Sequence, residues 1–299
     1  MSERGKGTVL VSYGSHGVVQ LDDGRRIECR YRRGVGRPCC GDRVRVSLLK
    51  TGEGVVEGIE ARDNEFVRGD RHGRRHVIAA NLDQVLIVVA RRPLPSRDLV
   101  ERYLVAVHSL QIIPVLVVNK SDIETIDDAH PGAPALSRLD DYRALGYGVL
   151  ETSCKTNKGT DALADLCRDR TSILVGQSGV GKSSLARSLL PDLDIQTGAL
   201  SRATGKGTHT TTTTIRYSLP EGGFLVDSPG VWEYGLWQLP GPEIAHGFVE
   251  FRPWIKQCRF NDCSHLSEPG CAVKDAVQSG RIRPWRYAAF IRLMAQNVA

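Results

Sequence analysis

The chain has 299 residues, 41% hydrophobic and 25% charged, a composition of ordinary globular proteins that excludes disordered, collagen-like and low-complexity classes. At roughly 150 residues per domain there is room for two domains, or three if one is small. Forty Lys and Arg against 34 Asp and Glu leave a net charge of +6, and no apolar run approaches the 18 or so residues of a membrane span, the longest being 85–90 and 112–118.

The first 15 residues are polar and Gly-rich, without the apolar stretch of a secretory signal, so a cytoplasmic protein with no membrane partner is expected. Eight cysteines are too sparse for a disulfide scaffold; clustered ones are read as metal ligands and isolated ones as thiols. Charge is uneven: residues 1–75 carry net +5, residues 76–240 net −2 and residues 241–299 net +3. Basic ends around a neutral centre suit two surfaces that approach a polyanion such as RNA, and equally a solvated Arg-rich face.

From residue 7 to about 66, short alternating segments at 8–11, 17–21, 25–29, 43–46 and 54–59, separated by Gly-rich turns, predict five strands of a small OB-type barrel. Basic clusters at 30–37 and 68–75 accompany it, with few aromatics for base stacking. Past a polar stretch at 68–76, buried strands alternate with helical segments, which predicts a parallel sheet covered by helices. A third segment clusters metal-type residues ahead of a helical tail at 283–297. The predicted domains are 1–68 (OB-fold, RNA-binding), 76–239 (nucleotide-binding α/β) and 240–299 (zinc-binding, helical).

The chemistry-bearing motifs lie in the central segment. Gly176-Gln177-Ser178-Gly179-Val180-Gly181-Lys182-Ser183, with Ser184 after it, follows the apolar strand at 173–175 and opens a helix. That is the context of a phosphate-binding loop, in which backbone N–H groups and a helix N-terminus surround phosphate oxygens. Lys182 would reach the β and γ phosphates, and Ser183 would ligate Mg²⁺. Asn119-Lys120-Ser121-Asp122 closes the strand at 115–118. The Asp122 carboxylate can accept both the N1–H and the N2 amine of guanine, whereas adenine offers no such pair, so GTP is favoured over ATP. Ser153-Cys154-Lys155 is a degenerate match to the loop that backs the guanine.

Asp227-Ser228-Pro229-Gly230 follows the strand at 224–226 and fits a switch element in which Asp227 orients Mg²⁺ through water and the Gly230 N–H senses the γ phosphate. The Gly- and Thr-rich run at 205–214 sits where switch I belongs, with Thr211, or Thr210 beside it, completing the Mg²⁺ shell. The position after Gly230 is Val231 rather than the Gln that orients water in Ras-like sites, which leaves His209 as the candidate water-positioning residue, or a bystander. In the usual GTPase order the phosphate loop comes first and the NKxD motif last; here Asn119 precedes Gly176, so the domain is circularly permuted.

Cys258, Cys263, His265 and Cys271 form a C-x4-C-x-H-x5-C pattern, the complement of a closed, structural tetrahedral Zn²⁺ site. A helical tail this short is expected to bury little core, with zinc supplying its folding energy. Cys29, Cys39, Cys40, Cys154 and Cys167 show no such spacing and are read as ordinary thiols.

With NKSD at 119–122, GQSGVGKSS at 176–184, HTTT at 209–212, DSPGV at 227–231 and the Cys/His pattern, the chain closely resembles the circularly permuted, ribosome small-subunit-dependent GTPases of bacteria, the RsgA (YjeQ, EngC) family. The resemblance spans nearly the whole chain. It implies an OB-fold, a permuted GTPase domain and a zinc-finger domain in a monomer. It further implies GTP hydrolysis in late maturation of the 30S subunit, stimulated by that subunit, with 16S rRNA as a partner. The family's switch I His supports His209, and Cys154 stands where the family commonly has Ala. The rival reading is a nucleotide-gated RNA-binding module whose hydrolysis is incidental.

Overall fold

A computed structural model of the chain describes residues 3–69, 75–124, 129–192, 213–228 and 239–297. Among them no helix is long and apolar enough to cross a membrane.

Five strands, β1 (Arg4–Ser12), β2 (His16–Leu21), β3 (Arg26–Tyr31), β4 (Arg43–Leu48) and β5 (Gly54–Ile59), run in the order β1-β2-β3-β5-β4, and β4 returns to pair with β1. All pairs are antiparallel except β3 with β5. This is the five-stranded closed barrel expected of an OB-type fold. Alternate side chains turn inward, so Val9, Val19, Leu21, Cys29, Val44, Val46 and Val56 fill the interior. A separate antiparallel ribbon pairs β6 (Glu65–Gly69) with β7 (Arg75–Ala80), and Phe66 and Ala79 in it are buried.

The central body is a sheet in the order β10 (Gly148–Glu151), β9 (Ile113–Asn119), β8 (Gln84–Ala90), β11 (Thr171–Val175), β13 (Phe224–Asp227), all parallel, with β12 (Ile215–Ser218) antiparallel beyond β13. Every residue of β8 is buried. Val85, Ile87 and Val89 face one layer with helix α1 (Leu99–Ser109), while Leu86, Val88 and Ala90 face the other with α4 (Thr160–Cys167) and α5 (Lys182–Leu189). Each such Val, Leu or Ile contributes about 1.5–3 kcal/mol. Burial of Gln84 is tolerated because its amide donates to the Leu166 carbonyl and Ser172 Oγ, both at 2.9 Å. Between β9 and β10 the chain forms two short helices, α2 (Ala133–Ser137) and α3 (Leu139–Ala144). The barrel joins this sheet through β1, where Val11 pairs with Ile215, and Leu10 and Val18 enter the same apolar cluster as Leu225.

The C-terminal segment carries α6 (Gly241–Gly247), α7 (Arg252–Ile255), α8 (Ala272–Gln278) and α9 (Pro284–Asn297). Contrary to the expectation of a nearly coreless tail, Phe248, Phe251, Phe290, Ile244 and Val273 build an aromatic cluster that also takes in Val105 of α1. Gly247 makes the close approach possible, since a Cβ there would collide with Val105. Arg286 of α9, wholly buried, donates Nε–H to Glu250 Oε1 at 2.5 Å and lies 3.6 Å from Glu101 of α1, which in turn accepts the Tyr142 hydroxyl. Arg292 adds a two-pronged contact to Asp98 at 2.6 and 2.7 Å.

Truncating Arg286 to Met leaves two buried carboxylates without their cation, and urea unfolding is expected to show a loss of about 3–5 kcal/mol; a loss below ~1 kcal/mol contradicts the bracing role given to this contact.

Candidate functional site

Because β8 lies between β9 and β11, the loops leaving the C-terminal ends of all three strands emerge side by side. In register, Ala90 faces Asn119, and Val175 faces Ile87. The ends of β10 and β13 bring Ser153 and Asp227 to the same edge.

The 119–122 and 176–184 segments, 57 positions apart at their starts, touch. Asn119 Nδ2 donates to the Val180 carbonyl at 2.9 Å, and Asn119 Oδ1 accepts from Thr152 Oγ1 at 3.2 Å. Lys120 Nζ donates to the carbonyls of Gly179 and Arg92, both at 2.7 Å. Gly181, with φ of +97°, is packed so tightly on Asn119 that a Cβ would collide with its amide nitrogen. The chain curls between β11 and α5 with Ser178, Gly179, Ser183 and Ser184 exposed. Lys182, at the start of α5, points back along the curl to the carbonyls of Gly176 at 2.6 Å and Gln177 at 2.9 Å, and burial lowers its pKa from the ordinary lysine value. An ammonium and a helix N-terminus at one open loop are the chemistry that a phosphate cradle requires.

Beside the cradle, Asp122 accepts Ser153 Oγ–H at 2.7 Å, and this bond, above other causes, holds its carboxyl below the usual aspartate value. The carboxylate is therefore charged throughout the physiological range. Lys155 Nζ, exposed, lies 3.9 Å from it. Cys154 is half-buried, and the Ser121 backbone N–H bonds the Thr152 carbonyl at 3.0 Å. Asp227 ends β13 as an exposed carboxylate, and the neighbouring Ser228 hydroxyl is 2.8 Å from that of Thr214.

Two side chains of the 176–184 segment point away from the curl, leaving their backbones to line it. Val180 is a core side chain, offering only its carbonyl to Asn119. Gln177 sends its amide to the Leu94 carbonyl at 2.8 Å, away from the curl. Sequence reasoning missed Thr152 and the 92–94 segment; no motif marks them, because the groups that engage are a hydroxyl and backbone carbonyls. His209, Thr210, Thr211, Thr212, Gly230 and Val231 lie outside the described residues.

On the far module, Cys258, Cys263, His265 and Cys271 bring one donor atom each within 4.8 Å of one another. Cys258 and Cys271 Sγ are 4.0 Å apart, and each is 3.5 Å from His265 Nδ1. Ligand bonds of ~2.3 Å set tetrahedral edges near ~3.8 Å, so this donor set can hold a metal ion. The Tyr287 hydroxyl fixes the His265 carbonyl at 2.7 Å, and Glu268 accepts N–H bonds from residues 264, 266 and 267, which closes the loop around the cluster.

Residues 59–237 match the family model described as RsgA GTPase. Over 290 residues the chain is 43% identical to the small ribosomal subunit biogenesis GTPase RsgA of Chromohalobacter salexigens, covering 95% of this chain and 84% of that protein. It is 41% identical over 297 residues to the protein of the same name from Hahella chejuensis, covering 98% and 84%. Its fold is similar to that of YjeQ from Thermotoga maritima, with a TM-score of 0.82, 30% identity and 99% of both chains covered. YloQ, described as a circularly permuted GTPase, aligns with a TM-score of 0.77 and 25% identity over 99% of this chain and 95% of that one.

Replacing Gly181 by Ala sets a Cβ against Asn119 in a left-handed backbone, at a cost of about 1–2 kcal/mol. Titration with fluorescent GDP is expected to show binding weakened about tenfold with the circular dichroism spectrum unchanged; undiminished binding contradicts the tight apposition of the two loops.

Proposed function

The chain belongs to the RsgA GTPase family, and from that premise we propose that it hydrolyses GTP during late maturation of the small (30S) ribosomal subunit in the cytoplasm, with the subunit and its 16S rRNA as activating partners. The observation that carries this reading is the direct contact of the 119–122 and 176–184 loops, which suits one bound nucleotide read at both ends. The names of the relatives supply the ribosomal context.

In this reading Asp122, kept ionised by Ser153, accepts the two donors on the guanine edge. Asn119 braces the base loop, the Lys120 stem covers the ring, and Ser121, Cys154 and Lys155 line the loops around it. Gly176, Gln177, Ser178, Gly179, Val180, Gly181 and Ser184 present the cradle, and Lys182 carries charge to the β and γ phosphates. Ser183 and Thr211 would hold Mg²⁺, with Asp227 acting through water; the bound ion neutralises charge that develops on the phosphates. Gly230 senses the γ phosphate, and His209 orients the attacking water in place of a Gln. Catalysis of this kind is positioning and charge stabilisation, so turnover is slow until the subunit orders the switch segments. The Cys258, Cys263, His265 and Cys271 set would hold one structural Zn²⁺, whose closed coordination ties the loop bearing it to α8 and α9.

GTP hydrolysis measured with and without purified small subunits tests the proposal. A large stimulation is expected, with His209→Ala binding GTP normally while losing about a hundredfold of the stimulated rate. Absence of stimulation favours an RNA-binding module gated by nucleotide, and full turnover in His209→Ala removes that residue from the chemistry.

A further inference from the structure

The first residue beyond β8, Arg91, reaches sideways to both loops that bound the guanine pocket. One arm of its guanidinium, Nη1, donates to the carbonyl of Ile123, the residue next to Asp122, at 3.0 Å. The other, Nη2, donates to Glu151 Oε2 at 3.1 Å, and Glu151 ends β10 two positions before Ser153. Both side chains are sheltered, at 22% and 29% exposure, and the second Glu151 oxygen is 3.7 Å from Arg143. The same segment grips the site through its backbone, with Lys120 on the Arg92 carbonyl and Gln177 on the Leu94 carbonyl.

We infer that Arg91 is a positioning residue for guanine selectivity, clamping the Asp122 loop and the Ser153 loop at a fixed separation so that the Asp122 carboxylate meets both base donors at once. The inference rests on the proposed guanine reading of Asp122. Its physical content is geometric. A carboxylate that must accept two bonds tolerates little drift, and a displacement of about 1 Å is costly at such sites. On one side the two loops are joined by the Ser121 to Thr152 backbone bond and by Asp122 to Ser153; Arg91 supplies the tie at their other ends. Only a planar fork serves two acceptors in fixed directions, which a lysine cannot do.

The test compares GTP with ITP, whose base keeps N1–H and lacks the N2 amine, in steady-state hydrolysis by the full-length chain. For Arg91→Met the KM for GTP is expected to rise about tenfold and that for ITP about twofold, with kcat for both within about a factor of two. Arg91→Lys should show the same selective loss in smaller measure, and it decides the matter if the Met variant does not fold. Equal changes in both KM values, or no change in a folded variant, overturn the inference. Asp122→Asn, assayed with GTP and XTP, separates the two levels. A shift toward XTP together with an unselective Arg91→Met overturns the clamp alone, whereas no shift overturns the guanine reading and the clamp with it.

Discussion

Everything proposed for this protein depends on β8 standing between β9 and β11. Hydrogen-bonded on both sides and buried along its whole length, it places two loops from distant parts of the chain within reach of one another. Asn119 and Lys120 then close on the backbone of Val180 and Gly179 at 2.9 and 2.7 Å. Burial of β8 thus has a chemical consequence for the proposed reading, since it keeps the 119–122 loop and the 176–184 loop in direct contact. Circular permutation leaves this intact, because strand neighbours rather than chain order set the distance.

The two flanking modules are each joined to an element that borders this site. The barrel strand β1 pairs with β12 at Val11 and Ile215, immediately after the segment that contains His209 and Thr211. On the other side, Arg286 braces Glu101 and Glu250, and Arg292 grips Asp98 ahead of α1. The 91–98 connection therefore runs from the nucleotide loops to the C-terminal body. In the proposed reading, a ribosomal particle engaging either module would act on elements joined to this sheet through β12 or through Asp98.

Much of this was legible in the residues. The phosphate loop is recognisable because a strand, a Gly-rich curl and a helix start are all local features, and the five barrel strands because period-two alternation reports one buried face. The Cys258 to Cys271 pattern is likewise short-range. What escaped was long-range or chemically disguised. Arg286 and Glu101 belong to no motif, yet they form a buried ion pair whose partners are distant in sequence. The aromatic residues of the tail fall on separate short segments, and the core they build is completed by Val105 of α1, far away in sequence. Arg91 looked like one basic residue among 40, and its meaning depends on where the β9 and β10 loops end. The polar ribbon at β6 and β7 lacked the apolar alternation by which strands are found.

The most direct measurement is hydrogen exchange followed by mass spectrometry on the full-length chain with and without GDP. Simultaneous protection of peptides spanning 118–123, 152–156 and 176–184, absent with ADP, is the result expected of one guanine nucleotide held by all three loops. Protection confined to the 176–184 peptide, or equal protection by ADP, would contradict it.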